Sequence, residues 1–304
     1  MQPSVALWAR TRLLGAVLAF GTVCFAGRAT SVSADAPAGA DDTAVQPYIH
    51  VVAESWYPYS YDEGGVVKGR ATETVRKVLA RAGLGYDITL YPWPRAYRMA
   101  QERENLLVYA MIKTPAREKI FQFVGQVMEG DSFYFFGLKD RGDIRLASAE
   151  DAKGFRIATS QDSAMMAFLK DNGYPDIQPL FDIQLGFKQL RYGRVDLVLT
   201  TAVNVAAHVR TGDIAAGTVV PYSWAFDAEP HMAFSPKTDP ALVARVRAAY
   251  EALVQAGELP VFGAKPLCGM DVLSDGLSEG CGEAAEAAKL DNKDEKDGGT
   301  RGDR

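Results

Sequence analysis

The strongest constraint on the fold is an alternation of strand-like and helix-like segments that occurs twice. Short β-branched runs alternate with amphipathic stretches between residues 49 and 111, and again between residues 156 and 200. Each unit has the order strand, helix, strand, helix, strand, which is typical of sheets covered by helices. The sequence therefore predicts an α/β protein built from two similar units.

Local signals set the limits of several segments. The pattern predicts a helix over residues 69–82, which Gly83 ends because glycine readily adopts the left-handed conformation found after helices. A run of aromatic residues at 133–138 is too apolar for an ordinary linker between the units. After the second unit, strands are expected at 218–220 and 232–234, followed by a long helix.

The N-terminus indicates export. Arg10 and Arg12 precede an apolar run, and the small residues 32–34 precede Asp35, which together predict a secretory signal peptide over residues 1–34. The apolar run is shorter than the roughly 20 residues that a bilayer requires, which disfavours the alternative of a membrane anchor. We expect a soluble periplasmic or secreted protein whose residues 35–46 form a flexible N-terminal segment.

Export determines how the cysteines are interpreted. Cys24 lies inside the signal, where the preceding residues make a poor lipoprotein motif, so Cys268 and Cys281 remain after cleavage. In an oxidising compartment this pair most simply forms one disulfide. Two thiols without a nearby histidine make no zinc site, and we expect neither a metal nor another cofactor.

Charge and composition restrict the partners. The formal net charge is −5 for 304 residues and becomes −8 once the three arginines of residues 1–34 are removed, so no nucleic-acid partner is expected. Residues 266–304, which contain the possible disulfide, are rich in Gly, Ala and charged residues, and they predict a largely disordered C-terminal tail.

The segment Lys113-Thr114-Pro115-Ala116-Arg117-Glu118 follows an apolar strand and precedes the aromatic residues 121–123. An arginine on such a turn can hold a carboxylate in two parallel hydrogen bonds, although it can equally be a surface residue. This Thr-x-x-Arg loop resembles the ligand loop of the family 3 bacterial solute-binding proteins, the receptors of polar amino acid ABC transporters.

The resemblance extends over residues 47–265. Landmarks that follow in the family's order are Tyr57-Pro58-Tyr59, Gly69, Glu73, Trp93, residues 121–125, residues 157–163 and residues 194–198. It implies a periplasmic binding protein-like type II fold, with two α/β lobes, a hinge and a central ligand cleft. Lobe 1 would comprise residues 47–138 and 226–265, and lobe 2 residues 139–225.

The resemblance also implies where a ligand binds. Arg117 and Thr114 would hold an anionic group from lobe 1, while Ser160 and Ser163 lie on a turn before a helix, whose free N–H groups favour anions. Aromatic residues would line the cleft from lobe 1 or pack in its core. These residues are Trp56, Tyr59 and Trp93.

Two positions depart from the family pattern. Thr201 stands where amino acid receptors commonly carry an aspartate for the ligand ammonium, and Ile112 replaces a serine or threonine. Glu54 can supply a compensating negative charge or can be a solvated loop carboxylate. Arg95 can add a second positive charge to the cleft or form a surface salt bridge. The ligand is therefore a carboxylate without an α-ammonium group, or an amino acid held in another way.

These observations predict a monomeric, non-enzymatic receptor. It would capture a small polar ligand by hinge closure and deliver it to an ABC transporter permease. One alternative is a dehydratase-like enzyme on the same scaffold with Glu54 as acid or base. Another is a ligand-sensing module for a membrane receptor.

Overall fold

Residues 47–263 are described by the structure, which is a computed structural model. The expected signal peptide, the segment 35–46, the tail over residues 266–304 and the Cys268–Cys281 disulfide lie outside the described residues.

Strands and helices alternate through the described chain. The strands are β1 (Tyr48–Ala53), β2 (Tyr61–Glu63), β3 (Val66–Lys68), β4 (Gly85–Leu90), β5 (Leu106–Ile112), β6 (Gln122–Gln126), β7 (Asp131–Leu138), β8 (Ile157–Ser160), β9 (Ile177–Leu180), β10 (Leu197–Thr201), β11 (Val219–Ala228) and β12 (Pro230–Phe234). The α-helices are α1 (Arg70–Ala82), α2 (Trp93–Glu102), α3 (Pro115–Glu118), α4 (Ala164–Asp171), α5 (Ile183–Arg191), α6 (Ala202–Arg210) and α7 (Pro240–Gln255).

The strands form two five-stranded sheets and a short β2–β3 hairpin. The first sheet has the order β4-β1-β5-β12-β6, and the second has the order β11-β7-β10-β8-β9. Each sheet combines parallel pairs, such as β1 with β5 and β10 with β8, with antiparallel ones. The predicted α/β class, with two similar units, is confirmed.

The aromatic strand β7 lies in the second sheet. It pairs antiparallel with β10 on one side and β11 on the other, and most of its side chains on both faces are buried. Residues 133–138 were expected to end lobe 1, but a strand that is apolar on both faces needs neighbours on both sides and coverage above and below. The chain therefore passes between the sheets near residue 130, not near Leu138.

The return to the first sheet is adjacent to the outward crossing. Asp131, the first residue of β7, pairs with Ala228, the last residue of β11, and β12 begins at Pro230 in the first sheet. The return expected near Phe226 therefore lies two to four residues later, because β11 continues along β7 as far as Ala228.

Capping signals place the helices beside the sheets. The predicted stop of α1 at Gly83 is confirmed, since Gly83 has φ +64° and its N–H bonds to the carbonyls of Leu79 and Ala80. Ser163 caps α4 and Thr201 caps α6, each accepting a hydrogen bond from the backbone N–H three residues later. Thr201 is the last residue of β10, and Ser163 follows the end of β8 by three residues, so both caps lie at strand ends of the second sheet.

Across residues 47–263, every helix is too short or too polar to traverse a bilayer.

Candidate functional site

A small cavity lies between the ends of the two sheets. Its volume is about 60 Å³, which is room for a few water molecules. Side chains from both halves of the chain line it: Glu54, Ser55, Trp56, Trp93, Tyr109, Ala110, Ile112 and Arg117 before the first crossing, and Phe133, Ser160, Ser163, Ala164, Met165, Ile183, Thr200, Thr201 and Asn204 after it.

Arg117 is held at the cavity by the short helix α3. The Thr114 side chain accepts the backbone N–H of Arg117 at 3.3 Å and thereby begins this helix. The Arg117 side chain is only 5% exposed, and its Nη1 donates to the carbonyl of Ile112 at 2.8 Å. Ile112 lacks the hydroxyl expected from the family pattern, but its backbone oxygen bonds to the guanidinium.

A second bond of Arg117 crosses to the other half of the protein. Its Nη2 donates to the carbonyl of Asp162 at 2.9 Å, and Trp93 Nε1 donates to the same oxygen at 3.0 Å. The guanidinium also lies 5.2 Å from the ring centroid of Trp93 and 5.0 Å from that of Tyr97. Burial lowers the pKa of Arg117, but a guanidinium stays charged in proteins and has five N–H donors, so further donors can reach a ligand.

The turn that carries Asp162 is shaped for this contact. Asp162 has φ +57°, a left-handed conformation that is uncommon outside glycine. Ser163 Oγ then accepts the N–H of Met166 at 3.1 Å and donates to the Ser160 carbonyl at 2.5 Å. The turn brings the start of α4, with its free N–H groups, to the cavity wall.

Glu54, a half-buried residue, lines the same cavity. Burial and the nearby Asp182 carboxylate raise its pKa to about 8, while a hydrogen bond from the backbone N–H of Trp93 lowers it. Near neutral pH, Glu54 can therefore exist as a neutral acid or as a carboxylate. It can donate a hydrogen bond in the first form and bind a cation in the second.

Trp56 joins the apolar cores of the two halves. It packs against the core around β1 and α1 and also against the core around β7 and α4. Within the described part of the chain, its buried Nε1 finds no hydrogen-bond partner. Such a donor is stabilised by any ligand that brings an acceptor.

The structure brings most of the predicted site residues together but not all of them. The predicted residues that line the cavity are Glu54, Trp56, Trp93, Arg117, Ser160, Ser163 and Thr201. Tyr59 is 1% exposed and packs edge-on against Trp56, outside the cavity lining. Arg95 stacks over Tyr91 at 4.3 Å, and Thr114 faces a separate groove, so the ligand roles of these three residues stay predictions.

Sequence reasoning missed Asn204. Its Nδ2 donates to Thr200 Oγ1 at 3.0 Å, and its backbone N–H donates to Thr201 Oγ1 at 3.2 Å. The spacing Thr-x-x-Asn after a buried strand could have indicated this residue. A threonine that caps a helix accepts the backbone N–H of the third following residue, which places that residue beside the cap.

A further contact joins the two halves away from Arg117. The Arg210 guanidinium, at the end of α6, lies 3.5 Å from the ring centroid of Tyr57, in the loop after β1. Two separate cationic contacts, through Arg117 and Arg210, thus bridge the halves.

The two-sheet fold and the cavity between the sheets define a periplasmic-binding-protein-like protein. The family model of the bacterial extracellular solute-binding proteins, family 3, matches residues 48–265, and the chain belongs to this family. A search of curated proteins found no match.

Solved structures show the same fold. A histidine kinase sensor domain with similarity to periplasmic binding proteins is 18% identical, with a TM-score of 0.61, over 70% of this chain and 92% of that chain. The P235GK mutant of ArgBP from T. maritima is 18% identical, with a TM-score of 0.59, over 69% and 91% of the two chains. The arginine-, lysine-, histidine-binding protein ArtJ from Geobacillus stearothermophilus is 17% identical, with a TM-score of 0.57, over 69% and 91%.

Proposed function

We propose that the protein is a monomeric periplasmic receptor that captures a compact, carboxylate-bearing solute, an amino acid or a related organic acid. The observation that carries the proposal is that Arg117 and the Ser160–Ser163 turn, from opposite sides of the cavity, line the same small space. Membership of the solute-binding family supports the binding role. The closed form would be delivered to an ABC transporter permease.

Arg117 and α4 would act on the same carboxylate. The unused N–H groups of the guanidinium provide charge-assisted hydrogen bonds, and the start of α4 adds backbone donors and a positive dipole end. Because these groups come from opposite halves, the ligand meets both only when the halves are close. Binding would therefore shift an existing equilibrium toward the closed form.

Isothermal titration calorimetry of matched arginine variants tests the site. The probes are L-alanine and L-lactate, which are small carboxylates. Arg117→Ala should weaken binding by about ten- to a hundredfold, since a charge-assisted bond contributes roughly 1.5 to 3 kcal/mol. Arg98→Ala is the control, because Arg98 is an exposed arginine of α2 outside the cavity lining. Unchanged affinity in Arg117→Ala, or an equal loss in Arg98→Ala, would contradict the proposal.

Ligand sensing is a second candidate function. It is favoured by the shared fold of the histidine kinase sensor domain. A strain that lacks the protein should lose uptake of its radiolabelled ligand if the protein delivers the ligand to a permease. If uptake is kept and only a transcriptional response to the ligand is lost, the sensing role is correct.

A further inference from the structure

Asp131 and Thr201 lie on neighbouring strands of the second sheet, and Thr201 lines the cavity. Thr201 of β10 pairs with Phe133 of β7, and both residues line the cavity. Paired residues of antiparallel strands project to the same face of a sheet, and so do residues two apart along one strand. Asp131 precedes Phe133 by two residues, so its side chain projects to the same face of the sheet as that of Thr201, as a diagonal neighbour.

Asp131 is a buried carboxylate with spare acceptor capacity. It is 2% exposed, and its Oδ1 accepts the N–H of Ser132 at 2.9 Å. Its Oδ2 is buried and has no partner at hydrogen-bonding geometry among residues 47–263. The Thr201 hydroxyl is close enough to lower the pKa of Asp131, which burial raises to about 7. This hydroxyl can therefore serve Oδ2.

The hydrogen bonds of Thr201 determine what its hydroxyl can offer a ligand. A hydroxyl has one donor and two acceptor lone pairs. One lone pair accepts the N–H of Asn204 at 3.2 Å. If the proton points to Asp131, the second lone pair is left for the cavity.

We propose that Asp131 is a positioning residue that orients the Thr201 hydroxyl, so that the cavity meets an acceptor there and selects a ligand with an N–H or O–H donor beside its carboxylate. This inference rests on the proposed function and narrows its substrate class. Arg117 supplies donors for the carboxylate, and Thr201 supplies an acceptor for the second group. At the position where amino acid receptors commonly carry an aspartate, this chain thus has the Thr201 hydroxyl, which the buried Asp131 carboxylate orients.

Three probes of equal carbon skeleton test the selectivity. L-alanine, L-lactate and pyruvate share a carboxylate and differ in the neighbouring group, which is donor only, donor and acceptor, or acceptor only. Calorimetry above the pKa of Asp131 should show that the wild type binds alanine most tightly and pyruvate most weakly. In Asp131→Asn the new amide donates to Thr201 and reverses its hydroxyl, so the alanine-to-pyruvate affinity ratio should fall about tenfold or more. An equal loss for all three probes would mean a structural role only and would overturn the inference.

A second measurement does not need a ligand. The pKa of the Asp131 carboxyl can be followed by ¹³C NMR in the wild type, Thr201→Val and Thr201→Ser. The valine variant should raise this pKa because the hydroxyl no longer stabilises the carboxylate, and the serine variant should restore it. An identical pKa in all three proteins would overturn the inference even if the probes bind. If the pKa responds as expected but no probe binds to the wild type, the proposed ligand class fails and the Asp131–Thr201 pair stands.

Discussion

Arg117 Nη2 and the Asp162 carbonyl oxygen are 2.9 Å apart, and this bond joins a helix after the first sheet's β5 to a turn after the second sheet's β8. Trp93 Nε1 donates to the same oxygen at 3.0 Å. The groups that are proposed to bind a ligand therefore also bond directly to each other across the two halves. Opening of the cavity requires both bonds to Asp162 to break.

The Trp93 bond can be removed with little change in shape. Trp93→Phe should destabilise the closed arrangement by about 1 kcal/mol, which is roughly a fivefold shift in population toward the open form. Small-angle X-ray scattering of the ligand-free variant should give a larger radius of gyration. Trp224→Phe is the control, because Trp224 Nε1 donates to Asp227 within the second sheet. A radius that is equal in Trp93→Phe and the wild type would rule out this role of the indole.

Glu54 should make the protein less stable as the pH rises. Its pKa is raised from 4.5 to about 8 in the folded state, so between these values the folded protein binds more protons than the unfolded chain and stability falls with pH. Glu54→Gln stays neutral and should be more stable at pH 8 by roughly 2 to 4 kcal/mol. Urea denaturation at several pH values measures this, and Glu104→Gln, on an exposed turn, is the control.

A parallel decrease of stability in Glu54→Gln and the wild type above pH 7 would show that Glu54 is not the group responsible. In Glu54→Gln, the free energy of unfolding should still decrease with rising pH below about pH 7. Asp131 also has a raised pKa, from 3.8 to about 7, and contributes the same sign of dependence between those values.

Asp196 should make the protein less stable as the pH falls in acid. Its oxygens accept from Arg156 Nε and Arg141 Nη1, each at 2.9 Å, and these bonds lower its pKa to about 2. The stabilisation is present above the ordinary pKa and is lost as pH falls through about 2. Asp196→Asn should cost about 1 to 2 kcal/mol at neutral pH, because the arginines are partly exposed and screened.

The cost of Asp196→Asn should shrink toward pH 2. Asp143→Asn, which removes an exposed partner of Arg141, should cost less than about 1 kcal/mol at any pH. Equal destabilisation by the two variants in urea denaturation would show that the burial of Asp196 does not strengthen its ion pairs.

Gly69 supports the loop that carries Trp56. It has φ +121°, and a Cβ at this position would overlap the Tyr59 carbonyl. Gly69→Ala should therefore cost about 3 kcal/mol or more in thermal or urea unfolding, since strain and overlap add. Gly64→Ala has φ +64° in open space and should cost only about 1 kcal/mol. Similar midpoints for both variants would refute the close approach at Gly69.

The parts of the fold that follow from local signals were predictable. Gly83 ends α1 because a positive φ is needed there, and Pro94 lies in the first turn of α2, where its missing N–H is not required. Pairing between distant strands has no such signal. The aromatic run of β7 indicates a buried strand but not the sheet in which it is buried.

The sequence predicted several side chains of the candidate site but not the partners that these side chains contact. The loop pattern indicated Arg117, and the position after the last strand of the second unit indicated Thr201. The partner of Arg117, however, is the backbone oxygen of Asp162, which any residue type could supply. The proximity of Asp131 to Thr201 depends on the register of β7 against β10. Neither relationship can be read from residue identity, because each arises from the chain path between the sheets.

The position of β12 between β5 and β6 has a consequence for the order of assembly. The second sheet is made from one continuous stretch, residues 131–228, whereas the first sheet cannot join its β6 edge to β5 until residues 230–234 are available. During synthesis or secretion the first sheet therefore stays incomplete while residues 131–228 follow, and these residues can already pair with one another as the second sheet. The last strand to appear closes the sheet that began first.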